Sequence, residues 1–249
     1  MTKPPVAVIT GAAGGIGEAL VRGFRANGWR VAAVGGHSPI AESAADAVFT
    51  LDLAALGDSE DGARELAAKV RAHFGDAPVS ALINNAATQR LGKTGSISWD
   101  DWRVTLAVNL SAPFALARAF LPDLEAAGGC ILNIGSVHAQ ATKPEFVAYA
   151  TSKAALHGLT RALAVDLGPR VRVVCLAPAA ISTPMLLDGF KDREAAFARL
   201  EAFHPAGRIG APEEVCEAAL FLVSPAARFA HGSTFYLDGG ILARLHDPA

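Results

Sequence analysis

The sequence predicts one α/β domain, built on a doubly wound, seven-stranded parallel sheet with helices on both faces. Short apolar runs alternate with longer stretches of helical periodicity, the pattern of β-α-β units whose sheet is covered on both sides. A glycine-rich turn follows the first apolar run. The length of 249 residues suits one large domain, so we expect a single domain over residues 1–249.

The apolar runs supply the predicted strands in chain order. They are Val6–Ile9, Arg30–Val34, Ala47–Thr50, Ala81–Ile83, Cys130–Ile134, Val171–Leu176 and Thr234–Leu237. The helical segments are Gly15–Asn27, Glu60–Phe74, Trp99–Glu125, Tyr149–Asp166, Arg193–Phe203 and Pro212–Ser224. Because few residues separate the second strand from the third, that crossover helix is predicted to be short or absent. Residues 182–210 contain proline and glycine between two short helical pieces, which predicts a mobile lid over a site.

Composition narrows the functional classes. Hydrophobic residues make up 51% of the chain and charged residues 18%, which predicts an ordered, soluble domain with a thick core. The net charge of −2, without a run of Lys or Arg, argues against nucleic acid as a partner. The first apolar stretch is too short for an export signal or a membrane span, so we expect a cytoplasmic protein without a membrane partner. Cys130, Cys175 and Cys216 lack metal-ligand spacing and are predicted to be buried, reduced thiols.

The segment from Thr10 to Gly17 joins the first strand to the first helix. Its glycines at positions 11, 15 and 17 let the backbone turn tightly and approach a pyrophosphate, whose charge the helix N-terminus stabilises. Glycine-rich turns also serve simply to pack a helix against a sheet, and that alternative stays open for the motif alone. In this context a Rossmann-type dinucleotide site is favoured.

Tyr149 and Lys153 stand four residues apart, slightly more than one helical turn. A helix there places the phenol and the ammonium on one face. A fixed positive charge within a few ångströms stabilises a phenolate, so we expect Lys153 to lower the pKa of Tyr149 and make it a proton donor and acceptor. No metal is needed for such chemistry.

Ser136 follows a predicted strand, at the carboxyl edge where open α/β sheets bind ligands. A hydroxyl there can hold a carbonyl or hydroxyl oxygen while Tyr149 gives or takes the proton. Each residue also has a structural explanation, because Ser136 can cap a strand end, Tyr149 can be a helix-start aromatic and Lys153 a solvated side chain. Their joint occurrence in this order favours the chemical interpretation.

The chain resembles the short-chain dehydrogenase/reductase family over nearly its whole length. The first turn matches the family's T-G-x-x-x-G-x-G, and the segment 84–87 is similar to its N-N-A-G. Asn109, Ser136, Tyr149 and Lys153 follow in the family's order, and the segment 208–240 is similar to its ending. The resemblance implies an NAD(P)-dependent oxidoreductase acting on a secondary alcohol or ketone of a small metabolite. The alternatives are a dinucleotide-binding regulator or sensor without turnover, and an epimerase or dehydratase on the same fold.

The resemblance also implies the cofactor contacts. They are Gly11, Gly15, Ile16 and Gly17 at the pyrophosphate, Asp52 and Leu53 at the adenine, Asn85, Ala86 and Ala87 beside the adenosine ribose, Tyr149, Lys153 and Pro178 near the nicotinamide, and Ile181 and Thr183 at its carboxamide. Asp52 has the alternative role of a turn or N-cap carboxylate. The chain departs from the family at Ala87 and Ala179, where glycine is usual; neither change removes a reacting group.

Cofactor choice depends on the turn after the second strand. NAD-selective sites usually present an acid there, whereas NADP requires groups that accept a 2′-phosphate. The sequence offers Gly35, Gly36, His37 and Ser38, without a carboxylate. This favours NADP over NAD, with His37 and Ser38 as hydrogen-bonding partners. A solvated loop histidine is the alternative for His37.

The family's pattern assigns further roles around the reacting atoms. Lys153 would also bind the nicotinamide ribose, and Asn109 would interrupt its helix and hold a water that links Lys153 to solvent. The alternative for Asn109 is a satisfied helix amide. Ser136, His138, Gln140 and Tyr149 are the expected substrate contacts, with further contacts from Gln89–Thr94 and Met185–Phe190. His138 as a second general base competes with a role as polar lining of the pocket.

The sequence also bears on assembly. The helical segments Trp99–Glu125 and Tyr149–Asp166 carry more apolar residues than one buried stripe requires, so a helix-on-helix subunit contact is plausible. The family resemblance points to a homotetramer, with a homodimer as the smaller alternative. A core-only explanation remains open, because both helices must also cover the sheet.

Overall fold

The computed structural model describes residues 3–36, 40 and 45–245. Within them seven strands form one parallel sheet in the order β3-β2-β1-β4-β5-β6-β7. The strands are β1 Val6–Thr10, β2 Arg30–Gly35, β3 Ala47–Thr50, β4 Val79–Asn84, β5 Cys130–Ile134, β6 Arg172–Pro178 and β7 Thr234–Leu237. The predicted doubly wound sheet is confirmed, and strand boundaries differ from the predicted ones by at most two residues.

Helices cover both faces of this sheet. They are α1 Gly15–Ala26, α2 Asp61–Phe74, α3 Trp99–Leu106, α4 Ala112–Ala127, α5 Val147–Leu167, α6 Pro184–Gly189, α7 Glu194–Phe203 and α8 Pro212–Val223. The prediction of one α-helix over Trp99–Glu125 was wrong in detail, because a π-helical turn at Ala107–Ser111 separates α3 from α4. Most of the connection between β2 and β3 lies outside the described residues.

Two apolar cores flank the sheet, because alternate residues of each strand face opposite sides. In β1, Val6 and Val8 pack against α2, α4 and α5 on one face. Ala7 and Ile9 pack against α1 and α8 on the other. Every residue of β1 and β5 is buried, which explains why these strands read as continuous apolar runs. The three cysteines are buried and free, as predicted.

The continuous helical stretch Trp99–Ala127 is 29 residues long and apolar enough, by length and composition, to cross a membrane. Half of its most apolar window is buried within the domain. Leu116, Phe120 and Leu124 belong to the core beneath the sheet. The stretch is therefore a core helix whose apolar character is explained by packing.

The strand order reverses between β1 and β4. From β1 the chain first adds β2 and β3 on one side, then crosses to add β4 to β7 on the other. In open α/β sheets such a reversal leaves a crevice at the carboxyl ends of the two central strands, where ligands bind. Thr10 ends β1 and Asn84 ends β4 at this crevice.

Candidate active site

The glycine loop reaches the crevice by close backbone contacts. Gly11 adopts a φ of +65°, and a Cβ on it would lie 2.7 Å from the Cα of Ala86. A Cβ on Gly17 would collide with the carbonyl oxygen of Gly11. A Cβ on Gly15 would lie 3.0 Å from Cδ of Pro184. The loop therefore depends on glycine at 11 and 17, and it brings the start of α1 next to the start of α6.

The turn after β4 is bonded to this loop. Thr10 is buried, and its Oγ1 accepts hydrogen bonds from the backbone N–H groups of Asn85 and Ala86, both at 3.1 Å. The amide of Asn85 donates to the carbonyl oxygens of Thr10 at 2.9 Å and Gly11 at 3.1 Å. The segment that includes Ala87 is thus held against the glycine loop, as a shared nucleotide site requires.

The start of α1 fits an anionic group. Its N-cap is Gly14, which has no side chain to bond the first N–H groups of the helix. Those donors, together with the helix dipole, suit a pyrophosphate. Gly15, Ile16 and Gly17 form the first turn, and the side chain of Ile16 packs against the core that α1 covers. The binding of a pyrophosphate at this turn stays a prediction.

The adenine end is only partly described. Asp52 is exposed, and its Oδ1 accepts a hydrogen bond of 2.9 Å from the N–H of Ala54, so the turn-capping role is realised. Leu53 packs against the core on the α2 face. His37 and Ser38, on which the predicted cofactor preference depends, lie outside the described residues.

The segment between Ile181 and Gly210 begins and ends at one point of the fold. These two residues form an isolated parallel bridge, and the N–H of Ser182 donates to the carbonyl of Gly210 at 2.8 Å. Pro178 ends β6 and is buried. Thr183 caps α6 by accepting a 3.3 Å hydrogen bond from Leu186. The predicted lid thus leaves and re-enters the domain at adjacent points.

The proposed reacting groups converge at the ends of β5 and α5. The side chain of Ser136 lies close enough to the Tyr149 phenol to lower its pKa. The Nζ of Lys153 lies 5.7 Å from the centroid of the Tyr149 ring and donates a 2.7 Å hydrogen bond to the carbonyl of Ile134. Ser136 also caps the short turn that follows it, accepting from His138 N–H at 3.2 Å. The structure brings the predicted Ser, Tyr and Lys together.

The pKa values in this cluster are set mainly by burial. Burial raises the pKa of the Tyr149 phenol, and the side chain of Ser136 lowers it. The net shift is upward, contrary to the predicted depression, because the effect of burial outweighs that of Ser136. Burial also lowers the pKa of Lys153 to about 8, while Cys175 acts in the opposite direction. The stabilisation of a Tyr149 phenolate by Lys153 stays a prediction.

Asn109 sits in the π-helical turn and is almost completely buried. Its Oδ1 accepts from the N–H of Thr88 at 2.8 Å, and its Nδ2 donates to the carbonyl of Thr88 and to Oγ of Ser152, both at 2.9 Å. Ser152 in turn donates to the carbonyl of Tyr149 at 2.7 Å. Asn109 therefore joins the loop after β4 to the first turn of α5, and the predicted interruption of the helix is confirmed as this π turn.

His138 and Gln140 follow Ser136 in the same loop. The imidazole of His138 stacks on Phe146, with ring centroids 4.4 Å apart, and meets Tyr149 edge to face at 5.7 Å. Burial, followed by the charge of Lys143, lowers the pKa of His138 to about 4. Gln140 is exposed beyond the short turn. His138 is therefore a neutral group beside Tyr149, which disfavours the role of a second general base near neutral pH.

Sequence reasoning did not single out a buried polar line behind the site. The Nδ2 of Asn84 donates to Oδ1 of Asn133 at 2.8 Å, and the Nδ2 of Asn133 donates to Oγ1 of Thr160 at 2.9 Å. An asparagine inside an otherwise apolar strand was the available signal for Asn133. Ser152, which bonds Asn109 and the carbonyl of Tyr149, carries no comparable signal.

Comparisons with known proteins agree with this geometry. A family model described as enoyl-(acyl carrier protein) reductase matches residues 11–242. Galactitol 2-dehydrogenase (L-tagatose-forming) of Cereibacter sphaeroides is 36% identical, over 94% of this chain and 93% of its own. Dehydrogenase/reductase SDR family member 4 of Homo sapiens is 32% identical, over 96% of this chain and 88% of its own. The chain belongs to the short-chain dehydrogenase/reductase family.

Solved structures agree with this assignment. A provisionally named NAD(P)-dependent gluconate 5-dehydrogenase of Beutenbergia cavernae, with bound NADP at low occupancy, is similar to this chain with a TM-score of 0.85. The two are 35% identical, over 96% of this chain and 97% of the other. As a short-chain dehydrogenase/reductase, the protein is an NAD(P)-dependent oxidoreductase with the fold of that family.

Proposed function

We propose that this enzyme transfers hydride between NAD(P) and a secondary alcohol or ketone of a small metabolite, with Tyr149 as the general acid/base. The observation that carries the proposal is the convergence of three side chains: Ser136 lies close enough to the Tyr149 phenol to lower its pKa, and the ammonium of Lys153 lies beside the same ring. A reacting oxygen placed between the two hydroxyls can be held by one and exchange its proton with the other.

The proposed chemistry uses these side chains in fixed roles. During alcohol oxidation, the substrate hydroxyl gives its proton to the phenolate oxygen of Tyr149 while the carbonyl double bond forms. The cofactor, when bound, supplies the acceptor of the hydride that leaves the same carbon. During ketone reduction, Tyr149 returns the proton to the new alkoxide. Ser136 holds the reacting oxygen in both directions, which orients the carbon toward the nicotinamide.

Lys153 has two proposed roles. Its buried ammonium stabilises the Tyr149 phenolate, and it binds the nicotinamide ribose. A π-helical turn leaves some backbone groups outside the regular helical pattern. The π-helical turn that contains Asn109 is joined to α5 by the hydrogen bond from Asn109 to Ser152, and Ser152 bonds the carbonyl of Tyr149. We infer that this turn holds the water that passes protons from Lys153 to solvent.

The same proposal assigns a cofactor contact to each segment around the crevice. The donors at Gly15, Ile16 and Gly17 hold the pyrophosphate, and the turn that includes Asn85 borders the adenosine ribose. Asp52 and Leu53 border the adenine, while Pro178, Ile181 and Thr183 border the nicotinamide. His37 and Ser38 favour NADP, and the gluconate 5-dehydrogenase structure that holds NADP supports that preference.

Two observations bear on the substrate. Galactitol and gluconate, named for two similar proteins, are small polyhydroxylated compounds. In this chain the predicted lid carries exposed Met185 and Leu187 on α6, which are available for apolar contact with a substrate. We infer a small sugar-like or polyol substrate, reached from the cytoplasm, whose carbon skeleton contacts the lid.

Exchange of Tyr149 for Phe tests the proposal. Tyr149→Phe should lower turnover of any accepted alcohol by about 10²- to 10⁴-fold, because the proton partner is lost. It should leave NAD(P)H binding, measured by fluorescence titration, nearly unchanged. Tyr236→Phe is the matched control, since Tyr236 is the chain's second tyrosine and lies on the edge strand.

The measurement is a screen of secondary alcohols and ketones, followed by nicotinamide absorbance with both cofactors. Full turnover by Tyr149→Phe would contradict the assigned role. Conversion of substrate without net change in the cofactor would instead indicate epimerisation or dehydration. Binding of cofactor without any turnover by the wild-type enzyme would favour a regulator or sensor.

A further inference from the structure

The imidazole of His138 is fixed by contacts on several sides. Its ring plane lies 7° from that of Phe146, with centroids 4.4 Å apart. Its Nδ1 lies 2.9 Å from Oγ1 of Thr142. Its backbone N–H donates to Oγ of Ser136 at 3.2 Å. The ring therefore has a defined position relative to the hydroxyl that holds the reacting oxygen.

The His138 ring lies on one side of Tyr149, together with Phe146. The rings of His138 and Phe146 both meet the Tyr149 ring edge to face, with centroid distances of 5.7 Å and 6.1 Å. Phe146 contributes apolar surface on this side of Tyr149. Because Nδ1 of His138 lies within hydrogen-bond distance of Thr142 Oγ1, Nε2 is the ring nitrogen that remains for a ligand.

The imidazole is neutral at working pH. Burial and the charge of Lys143 hold the pKa of His138 near 4. The Nζ of Lys143 lies 4.6 Å from the centroid of the Phe146 ring, so this positive charge lies close to the stacked rings of Phe146 and His138. A neutral imidazole has one donor and one acceptor nitrogen, and the Thr142 hydroxyl can complement either tautomer. The free nitrogen can therefore accept from or donate to a hydroxyl.

We infer that His138 determines specificity by bonding, through Nε2, a hydroxyl on the carbon next to the reacting carbon. The substrate is then a vicinal diol in the oxidation direction and an α-hydroxy ketone in the reduction direction. A neutral imidazole suits an uncharged hydroxyl better than a carboxylate, which binds most strongly to a charged partner. This inference rests on the proposed function, because Ser136 and Tyr149 define where the reacting oxygen lies.

The physical basis for selection is the cost of an unpaired polar atom. A substrate that lacks the neighbouring hydroxyl displaces water from the His138 ring and leaves its Nε2 without a hydrogen-bond partner. A site built to bond a substrate hydroxyl discriminates against analogues without it more strongly than an apolar pocket does. Replacement by an apolar ring of similar shape should abolish this discrimination.

The test compares matched probes that differ by one hydroxyl. Butane-2,3-diol is paired with butan-2-ol, and cyclohexane-1,2-diol with cyclohexanol, each followed by nicotinamide absorbance with NAD and NADP. Wild-type enzyme should prefer the diol.

The variants test whether His138 causes this preference. His138→Phe keeps an aromatic ring stacked on Phe146, and it should lower the diol-to-alcohol ratio of kcat/KM by about 10- to 100-fold. His138→Gln, which keeps a neutral donor and acceptor, should restore part of the ratio, and His73→Phe on α2 should leave it unchanged.

The outcomes separate this inference from the proposed function. A diol-to-alcohol ratio that His138→Phe leaves unchanged overturns the inference, even if both rates fall. Wild-type enzyme that oxidises the alcohols as well as the diols also overturns it, while the proposed function stands. If no probe is oxidised by either cofactor and no ketone of the wider screen is reduced, the proposed function itself fails.

Discussion

At the scale of single residues, the candidate site contains a buried ammonium group, that of Lys153, although burial disfavours its charge. Lys153 is 2% exposed, and its ammonium donates to the carbonyl of Ile134 at 2.7 Å. Burial lowers its pKa from 10.5 to about 8. Below that pH the folded protein must keep an ammonium out of water, which costs free energy. The proposed chemistry requires this charge beside Tyr149, so function and stability oppose each other at this residue.

Exchange of Lys153 for Met should therefore stabilise the cofactor-free protein while abolishing turnover. The pKa is depressed in the folded state, so the cost of the charge is fully present below pH 8 and disappears as pH rises from about 8 to 10.5. We expect Lys153→Met to raise the free energy of unfolding by roughly 1–3 kcal/mol at neutral pH, after the loss of one hydrogen bond. Urea unfolding at several pH values measures this.

The gain from Lys153→Met should shrink as pH rises through that window. Lys69→Met, at an exposed position on α2, serves as the control and should show no such trend. A variant that is less stable than wild type at neutral pH would show that the ammonium contributes net stability, contrary to this argument.

At the scale of elements, α5 aligns the site. Tyr149, Ser152 and Lys153 lie in its first turns, and Thr160 follows two turns later on the buried side. Asn109 bonds Ser152, and Asn133 of β5 bonds Thr160. These bonds fix the rotation of α5 about its axis relative to the sheet. The orientation of the phenol toward Ser136 therefore depends on polar contacts made at two points along the helix.

Thr160→Val tests the contribution of the buried polar line. The Oγ1 of Thr160 accepts from Asn133 and donates to the carbonyl of Leu156 at 2.9 Å. Valine has nearly the same shape but leaves the Asn133 amide unpaired in the core, which should cost about 1–3 kcal/mol of unfolding free energy. Thr160→Ser keeps the hydroxyl and should cost less. Equal stability of Thr160→Val and wild type in urea would contradict the proposed importance of this line.

Some of these elements could be predicted and others could not, for physical reasons. Strands such as β1 and β5 are buried on both faces, so continuous apolar runs identify them. The π turn at Ala107–Ser111 was not predicted as such, because one extra residue in a turn hardly changes the apolar periodicity of a long helix. The Asn133–Thr160 bond joins residues 27 positions apart, so it depends on how the chain folds back.

The same division applies to the candidate site. Motif spacing predicted which side chains meet, and Ser136, Tyr149 and Lys153 do meet. The upward net shift of the Tyr149 pKa was not predicted, because it comes from burial by surrounding segments and not from the local sequence. The neutral stack of His138 on Phe146 likewise depends on a loop conformation that spacing does not define.

At the scale of the whole molecule, the strand order assembles the site from distant segments. The reversal between β1 and β4 places the glycine loop beside Asn85, and β5 and β6 add Ser136 and Ile181 at the same edge. One set of loops thus carries the residues proposed for binding and chemistry, while the helices cover the faces of the sheet. This leaves the outer surfaces of the helices available for contact between subunits.

Exposed apolar side chains on those outer surfaces support the proposed homotetramer, or homodimer. Phe114 of α4 and Val165 of α5 are 44% and 87% exposed, although both helices pack on the core. Exposed apolar side chains on helices that cover the same core are typical of subunit contacts. We expect wild-type protein to be oligomeric in sedimentation velocity, and the double variant Phe114→Glu/Val165→Glu to raise the dissociation constant at least about 100-fold, since two charges enter an apolar contact.

The control is the double variant Lys69→Glu/Lys191→Glu, which changes the net charge at least as much at other positions and should leave the assembly intact. A monomeric wild-type protein would contradict the proposed assembly, and an oligomeric double variant would place the contact on another surface.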